Sequence, residues 1–183
     1  IDLYQLHWPE RITNTFGNRS FQYFNDSWED NFEEILHILK LLIDEGKIRH
    51  VGLSNENPWG IMKFLEYVKK GLPKMITIQN PYSLLNRLFE VGSSEICKRE
   101  SVGLLAYSPL GFGVLSGKYM NKKIPKKSRL DLFPNLKRYS NVNSFKATEL
   151  YNEIANKHGI SLTDLSLSFV NDRPFVTSNI IGA

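Results

Sequence analysis

The sequence predicts an α/β protein built on a parallel sheet, and three observations carry that reading. Apolar runs of strand length alternate with segments whose apolar residues recur at helical spacing. The middle strands begin near residues 48, 75 and 102, so 27 residues separate each from the next, which is the length of a βα unit. The run 103–106, Gly-Leu-Leu-Ala, has no polar residue to turn toward water, as suits a strand buried on both faces. This pattern admits a doubly wound sheet or a (β/α)8 barrel. No strand is followed by G-x-G-x-x-G, which weighs against the dinucleotide-binding doubly wound class. The length of 183 residues suits one domain over 1–183.

The elements follow in order. Residues 1–7 form a short strand through Ile1, Leu3, Tyr4 and Leu6, ended by Trp8-Pro9. Residues 10–30 are polar and aromatic without a period and read as a long loop, a feature uncommon in compact domains and often functional. Asp30 or Asn31 caps a helix whose apolar face is Ile35, Leu36, Leu39, Leu42 and Ile43, and Gly46 ends it. A strand over 48–54 precedes Asn57-Pro58, which opens a helix with Ile61, Met62, Leu65 and Val68 inward. Gly71 to Pro73 stop that helix, and a strand over 75–79 follows. A helix over 89–100 leads to a strand over 102–107 and then to a glycine-rich stretch over 108–118. Helices over 144–158 and 162–171, the second capped by Ser161 or Thr163, precede a last strand over 176–181.

Composition narrows the function. With 42% hydrophobic and 23% charged residues the chain is that of a globular protein. No apolar run approaches the roughly 20 residues that cross a bilayer. A single cysteine, Cys97, rules out an intramolecular disulfide framework and suits a reducing compartment. No basic and apolar leader is present, and the expected location is the cytoplasm. The net charge of +4 is spread out, which argues against nucleic acid as a partner. The one basic run, Lys122, Lys123, Lys126, Lys127 and Arg129, reads either as a solvated loop or as a site for an anionic ligand.

In a barrel the active site lies at the carboxyl ends of the strands. Those ends carry His7, then Ser54-Asn55-Glu56, then Gln79-Asn80, then Tyr107-Ser108. His7 is either a strand-end residue with a satisfied hydrogen bond or a donor that polarises a carbonyl, since histidine titrates near neutrality. Ser54 and Asn55 either terminate a strand and cap the next helix or hold a planar carboxamide, with Gln79 on its other side. Tyr107 is either core or a platform for a ring. The glycines of the 108–118 stretch and its closing Lys118 read as a flexible turn, or as exposed backbone N–H groups that wrap a pyrophosphate. His37, His50 and His158 have no ligand-like spacing, so no metal site is expected.

These motifs together resemble the aldo-keto reductase superfamily, in particular its Tas-like branch and the β subunits of voltage-gated potassium channels. The resemblance rests on the text 1–9 (IDLYQLHWP), 46–55 (GKIRHVGLSN), 78–87 (IQNPYSLLNR), 106–119 (AYSPLGFGVLSGKY) and 180–183 (IIGA). It implies a (β/α)8 TIM barrel, of which this chain is the C-terminal portion with about five strands, and hydride transfer from NADPH to a small-molecule carbonyl. It implies that His7 orients the substrate carbonyl. Ser54, Asn55 and Gln79 would bind the nicotinamide carboxamide, and Tyr107 would stack on the ring. Ser108, Pro109, Leu110, Gly111, Phe112 and Gly113 with Lys118 would cross the pyrophosphate, and Arg129 would add a cofactor contact. The family's catalytic Asp, Tyr and Lys lie on strands that would precede Ile1, so the chain alone is expected to be inactive, losing general-acid catalysis worth about 10²–10⁴-fold. An open five-strand piece would expose strand edges and favour aggregation or a homo-oligomer. Two other readings stand beside the reductase: an NADP(H)-sensing subunit acting through a partner, and a truncated non-catalytic fragment. The aromatics of the 10–30 loop, Phe16, Phe21, Tyr23, Phe24 and Trp28, form either an apolar lid or packing for the barrel rim.

Overall fold

The computed structural model describes residues 1–14, 21 and 27–182. Among the described residues five strands, β1 (Leu3–Leu6), β2 (His50–Ser54), β3 (Met75–Pro81), β4 (Gly103–Tyr107) and β5 (Val176–Ile180), form one sheet in the order β1-β2-β3-β4-β5. That order follows the sequence, the arrangement that repeated βα units produce. The register fixes which side chains share a face. Gln5 lies beside Gly52 and Gly52 beside Thr77, while Leu6, Leu53 and Ile78 form the next row and Ser54 sits beside Gln79. Successive residues of a strand point to opposite faces, so Ser54 and Gln79 share a face with Gly52 and Thr77. Gly52 is required there, because a Cβ would lie 2.3 Å from Thr77 Oγ1. Gln5 spans this gap, its Nε2 donating to the Leu53 carbonyl at 3.1 Å.

Among the described residues six α-helices accompany the strands: α1 (Phe32–Asp44), α2 (Pro58–Glu66), α3 (Ser93–Glu100), the single turn α4 (Arg129–Leu132), α5 (Val142–Lys157) and α6 (Leu162–Asn171). The chain divides into two compact units. The first comprises Ile1–Asn80 and Glu90–Leu105, and the second comprises 81–89 with the residues from Ala106 onward. The core of the first includes Leu36, Leu39, Val51, Leu53, Ile61, Met75, Ile78 and Leu104, all at most 3% exposed. In the second, Val114, Tyr119, Leu130 and Tyr139 form a buried cluster, and Tyr82 stacks on Phe169 at 5.7 Å.

Several expectations are refined by packing. Of the two candidate caps of α1, Asn31 holds the cap position but does not cap. Asp30 Oδ1 accepts the Phe32 N–H, while Asn31 donates to Glu10 and accepts from Trp28 Nε1. Gly46 follows α1 in the left-handed region (φ 70°), as a C′ glycine does. The inward face of α2 is Ile61, Phe64 and Leu65; Met62 and Val68 are exposed, because Val68 lies in the tighter 3-10 turn after the helix. The helix expected over 89–100 is split: a turn at Leu88–Glu90 and then α3, parted at Gly92 with φ 140°, a conformation open only to glycine. Helix α5 starts at Val142, two residues before the expected 144, because Asn141 accepts the Ser144 N–H and sets the start. Ser161 rather than Thr163 caps α6, accepting from Asp164 N at 3.0 Å.

Candidate active site

The sequence-predicted residues fall into two groups, one in each unit. In the first unit, the strand-end residues are tied into one network. Asn55 Nδ2 donates to the His7 carbonyl at 2.9 Å and to Ser54 Oγ at 3.2 Å. Ser54 Oγ donates to the Gln79 carbonyl at 3.0 Å, which also accepts the Asn55 N–H at 3.0 Å. His7, Ser54, Asn55 and Gln79 are therefore brought together across three strand ends. The hydroxyl of Ser54 is already committed, and the residue is buried. Asn55 sits at φ 55°, in the left-handed region that asparagine tolerates better than most residues.

A cavity of about 210 Å³ lies at these strand ends, lined among others by His7, Trp8, Trp28, Phe32, Ser54 and Glu56. The His7 side chain is exposed and lies 5.5 Å from the Trp8 ring. Trp28 packs edge-on against Phe32 and Trp59, so in the 10–30 loop this aromatic both packs and lines the cavity. Phe21 is exposed, and Phe16, Tyr23 and Phe24 lie outside the described residues.

One feature of this site has no signal in the motifs. Arg11 and Glu56 form a buried, two-pronged ion pair, with Nη1 donating to Oε2 at 3.0 Å and Nη2 donating to Oε1. Glu56 stands among the strand-end polar residues, but nothing in a polar, aperiodic loop marks Arg11 as its partner. The pair needs Gly60 in α2: a Cβ there would lie 2.3 Å from Glu56 Cδ.

In the second unit Tyr107 ends β4. It is half-buried, its carbonyl accepts the Tyr82 N–H, and its hydroxyl is hydrogen-bonded to the Arg138 side chain. Burial raises its pKa, and Arg138 pulls it partly back. Arg138 is a second residue that the motifs do not reveal.

The glycine-rich stretch folds as a pair of 3-10 turns over Gly111–Ser116, with Phe112 at φ 59° and Gly113 at φ 88°. The glycine amides are hydrogen-bonded. Gly111 N donates to the Ser108 carbonyl, Gly113 N to that of Leu110 and Gly117 N to that of Val114. The turns satisfy these donors within the loop, so the glycines supply left-handed conformations rather than free N–H groups. Pro109 and Gly111 are buried.

Lys118 is exposed and folds back on the loop, with its Nζ 5.3 Å from the Tyr119 ring and its Cε where a Cβ on Gly113 would meet it at 2.7 Å. Arg129 lies over Phe112 at 4.6 Å, and Phe112 packs on Tyr139 at 4.8 Å. Two cations thus border the loop. Lys123, Lys126 and Lys127 of the basic run are exposed.

Among the described residues no cluster of His, Cys, Asp and Glu can hold a metal ion, and no helix is long and apolar enough to cross a membrane.

A parallel sheet in sequential strand order, with polar residues at the strand carboxyl ends, is the arrangement of the α/β barrel class. The sequence profile of the aldo/keto reductase family matches residues 1–183, and the chain belongs to that family of oxidoreductases. It is 45% identical over 184 residues to the protein Tas of Escherichia coli, covering all of this chain and 53% of Tas. It is 39% identical over 197 residues to an aldo-keto reductase of Babesia bovis, covering all of this chain and 69% of that one. Among solved structures, a glycerol dehydrogenase from Gluconobacter oxydans superposes with a TM-score of 0.70 at 26% identity, over 98% of this chain and 49% of that one. The fold matches the C-terminal portion of the family's (β/α)8 barrel. The chain spans about half the length of Tas and of the dehydrogenase.

Proposed function

We propose that the protein carrying this chain reduces a small-molecule carbonyl to an alcohol, using NADPH as hydride donor. The observation that carries this reading is the network joining His7, Asn55, Ser54 and Gln79 across three adjacent strand ends. Family membership and the reductase and dehydrogenase relatives support the reaction class.

The residues fit the cofactor by their chemistry. The side-chain amide of Gln79 is complementary to a carboxamide, offering both donor and acceptor, while Asn55, whose Nδ2 is committed to the His7 carbonyl and Ser54 Oγ, holds the strand ends beside it. Ser54 acts behind them, its hydroxyl holding the Gln79 backbone. Tyr107 offers the ring face for stacking. Ser108, Pro109, Leu110, Gly111, Phe112 and Gly113 shape the loop that carries the pyrophosphate. Lys118 and Arg129 supply positive charge, which the committed glycine amides do not. Charge-assisted hydrogen bonds of that kind are roughly twice as strong as neutral ones. Bound NADPH would supply the hydride. His7 would present an imidazole N–H to the carbonyl oxygen and so orient the substrate. A lone buried thiol at Cys97 accords with a reducing compartment such as the cytoplasm.

The test is an NADPH fluorescence titration of the full protein and of its Gln79→Ala and Lys118→Ala variants. Saturable binding that weakens in both variants supports the reading, and turnover of a nitrobenzaldehyde assigns reduction. Saturable binding without turnover assigns a cofactor-sensing module instead. Equal binding by all three proteins removes these residues from the site.

A further inference from the structure

The Arg11–Glu56 pair does more than fill space. Glu56 is joined to all three strand-end segments of the first unit. Its carboxylate takes Arg11, four residues beyond His7, and Oε1 accepts the Asn57 N–H at 2.7 Å. Its carbonyl accepts Asn80 Nδ2 at 2.8 Å. Each of these contacts stands close in the chain to a candidate site residue: Arg11 after His7, Glu56 next to Asn55, Asn80 next to Gln79.

The surroundings fix the pair in one geometry. The side chains of Arg11 and Glu56 are only 8% and 3% exposed. Arg11 Nη2 also donates to Asn57 Oδ1, and its guanidinium lies 4.8 Å from the Trp59 ring and 5.8 Å from that of Phe32. Asn57 Nδ2 in turn donates to Thr13 Oγ1 at 2.6 Å. A buried ion pair is a weak source of net stability, because desolvation offsets the attraction, but it is directional and tolerates one arrangement only.

We propose that Arg11 and Glu56 are positioning residues that hold the ends of β1, β2 and β3 so that His7, Asn55 and Gln79 converge on one ligand. What that ligand is rests on the carbonyl-reductase reading above; the positioning itself does not.

The experiment uses the full protein and its Glu56→Gln variant, which keeps the shape and removes the charge. Amide hydrogen exchange is followed at Asn55, whose N–H is bonded to the Gln79 carbonyl, and in the C-terminal turns of α1, remote in the helix from Phe32, as an internal reference. The expected result is exchange at Asn55 faster by about tenfold or more, the equivalent of one lost charge-assisted hydrogen bond, with α1 unchanged. NADPH binding weakens in parallel. Equal acceleration at Asn55 and in α1, or none at either, overturns the proposal, because the pair is then merely structural or inert. If the unsubstituted protein binds no NADPH while Asn55 still responds, the reductase reading fails and the positioning stands. Should Glu56→Gln not fold, Arg11→Lys gives the same test: it keeps the charge but loses the two-pronged geometry, and only a selective response at Asn55 upholds the proposal.

Discussion

The strand ends of the first unit and the loop of the second both carry candidate site residues, yet they are held by opposite means. At the strand ends, side chains reach across to neighbouring backbone: Asn55 to the His7 carbonyl, Ser54 to that of Gln79, Asn80 to that of Glu56. In the loop the backbone holds itself, through left-handed residues at Ser108, Gly111, Phe112, Gly113 and Gly117. Its side chains add stacking, with Arg129 on Phe112 and Phe112 on Tyr139. The first region should therefore be sensitive to side-chain chemistry and the second to which residues tolerate positive φ.

Substitutions can break or sharpen that contrast. The largest effect is expected from Arg11→Met, which leaves Glu56 buried without its partner and costs about 3–5 kcal/mol in urea unfolding. A loss below about 1 kcal/mol, the range of exposed pairs, would deny the strand ends their dependence on side chains. Next comes Gly113→Ala, with φ at +88° and Lys118 Cε at 2.7 Å from the new Cβ. The Lys118 side chain can swing away, so the cost is that of the backbone, about 1–2 kcal/mol. Gly46→Ala is the control, since φ is +70° and nothing lies within 4 Å of its Cβ. Matching losses at the two glycines mean that φ alone sets the loop's sensitivity; a much larger loss at Gly113 means that contact with Lys118 matters. Ser161→Ala removes the α6 cap and should cost about 1 kcal/mol.

The smallest effect at neutral pH belongs to Cys97, whose thiol burial pushes up to about 12 from an ordinary 9.0. The folded pKa is the higher one. Its contribution is fully present below about pH 9 and is lost as pH rises toward about 12, because the unfolded chain releases the proton first. The urea midpoint of the protein should therefore fall more between pH 8 and 10 than that of Cys97→Ala. Parallel slopes would show that the thiol is not held protonated by the fold.

The sheet is legible because its signal is local: apolar runs, and 27-residue spacings that only a parallel βα repeat produces economically. Strand ends follow from the same runs to within two residues (β3 continues past the expected 79 to Pro81), so His7, Ser54, Asn55 and Gln79 can be named before any geometry. What cannot be read depends on distant partners. Arg11 lies 45 residues from Glu56 and sits in an aperiodic loop. Met62 fits the α2 spacing as well as Phe64 does, and only packing turns Phe64 inward, onto Phe32 at 4.6 Å. The turn α4 leaves no trace in the sequence, because residues 119–141 have no period. It is fixed instead by Tyr119, whose hydroxyl oxygen accepts the Leu130 N–H. The glycines of the loop are visible, but their spacing suggests amides free for a ligand when in fact they close 3-10 turns.

Gly60 carries a consequence for anyone who alters or compares such chains. By helix preference alone, alanine at this place in α2 would be better by about 1 kcal/mol. A stabilisation scheme that swaps helical glycines for alanine would choose it and drive a methyl group into the Glu56 carboxylate. Positions 11, 56 and 60 are thus sterically coupled: a side chain at 60 would need the space that the Glu56 carboxylate and Arg11 guanidinium now fill. An alignment of relatives should show the three changing together, and the change Gly60→Ala beside an intact Arg11 and Glu56 should be rare.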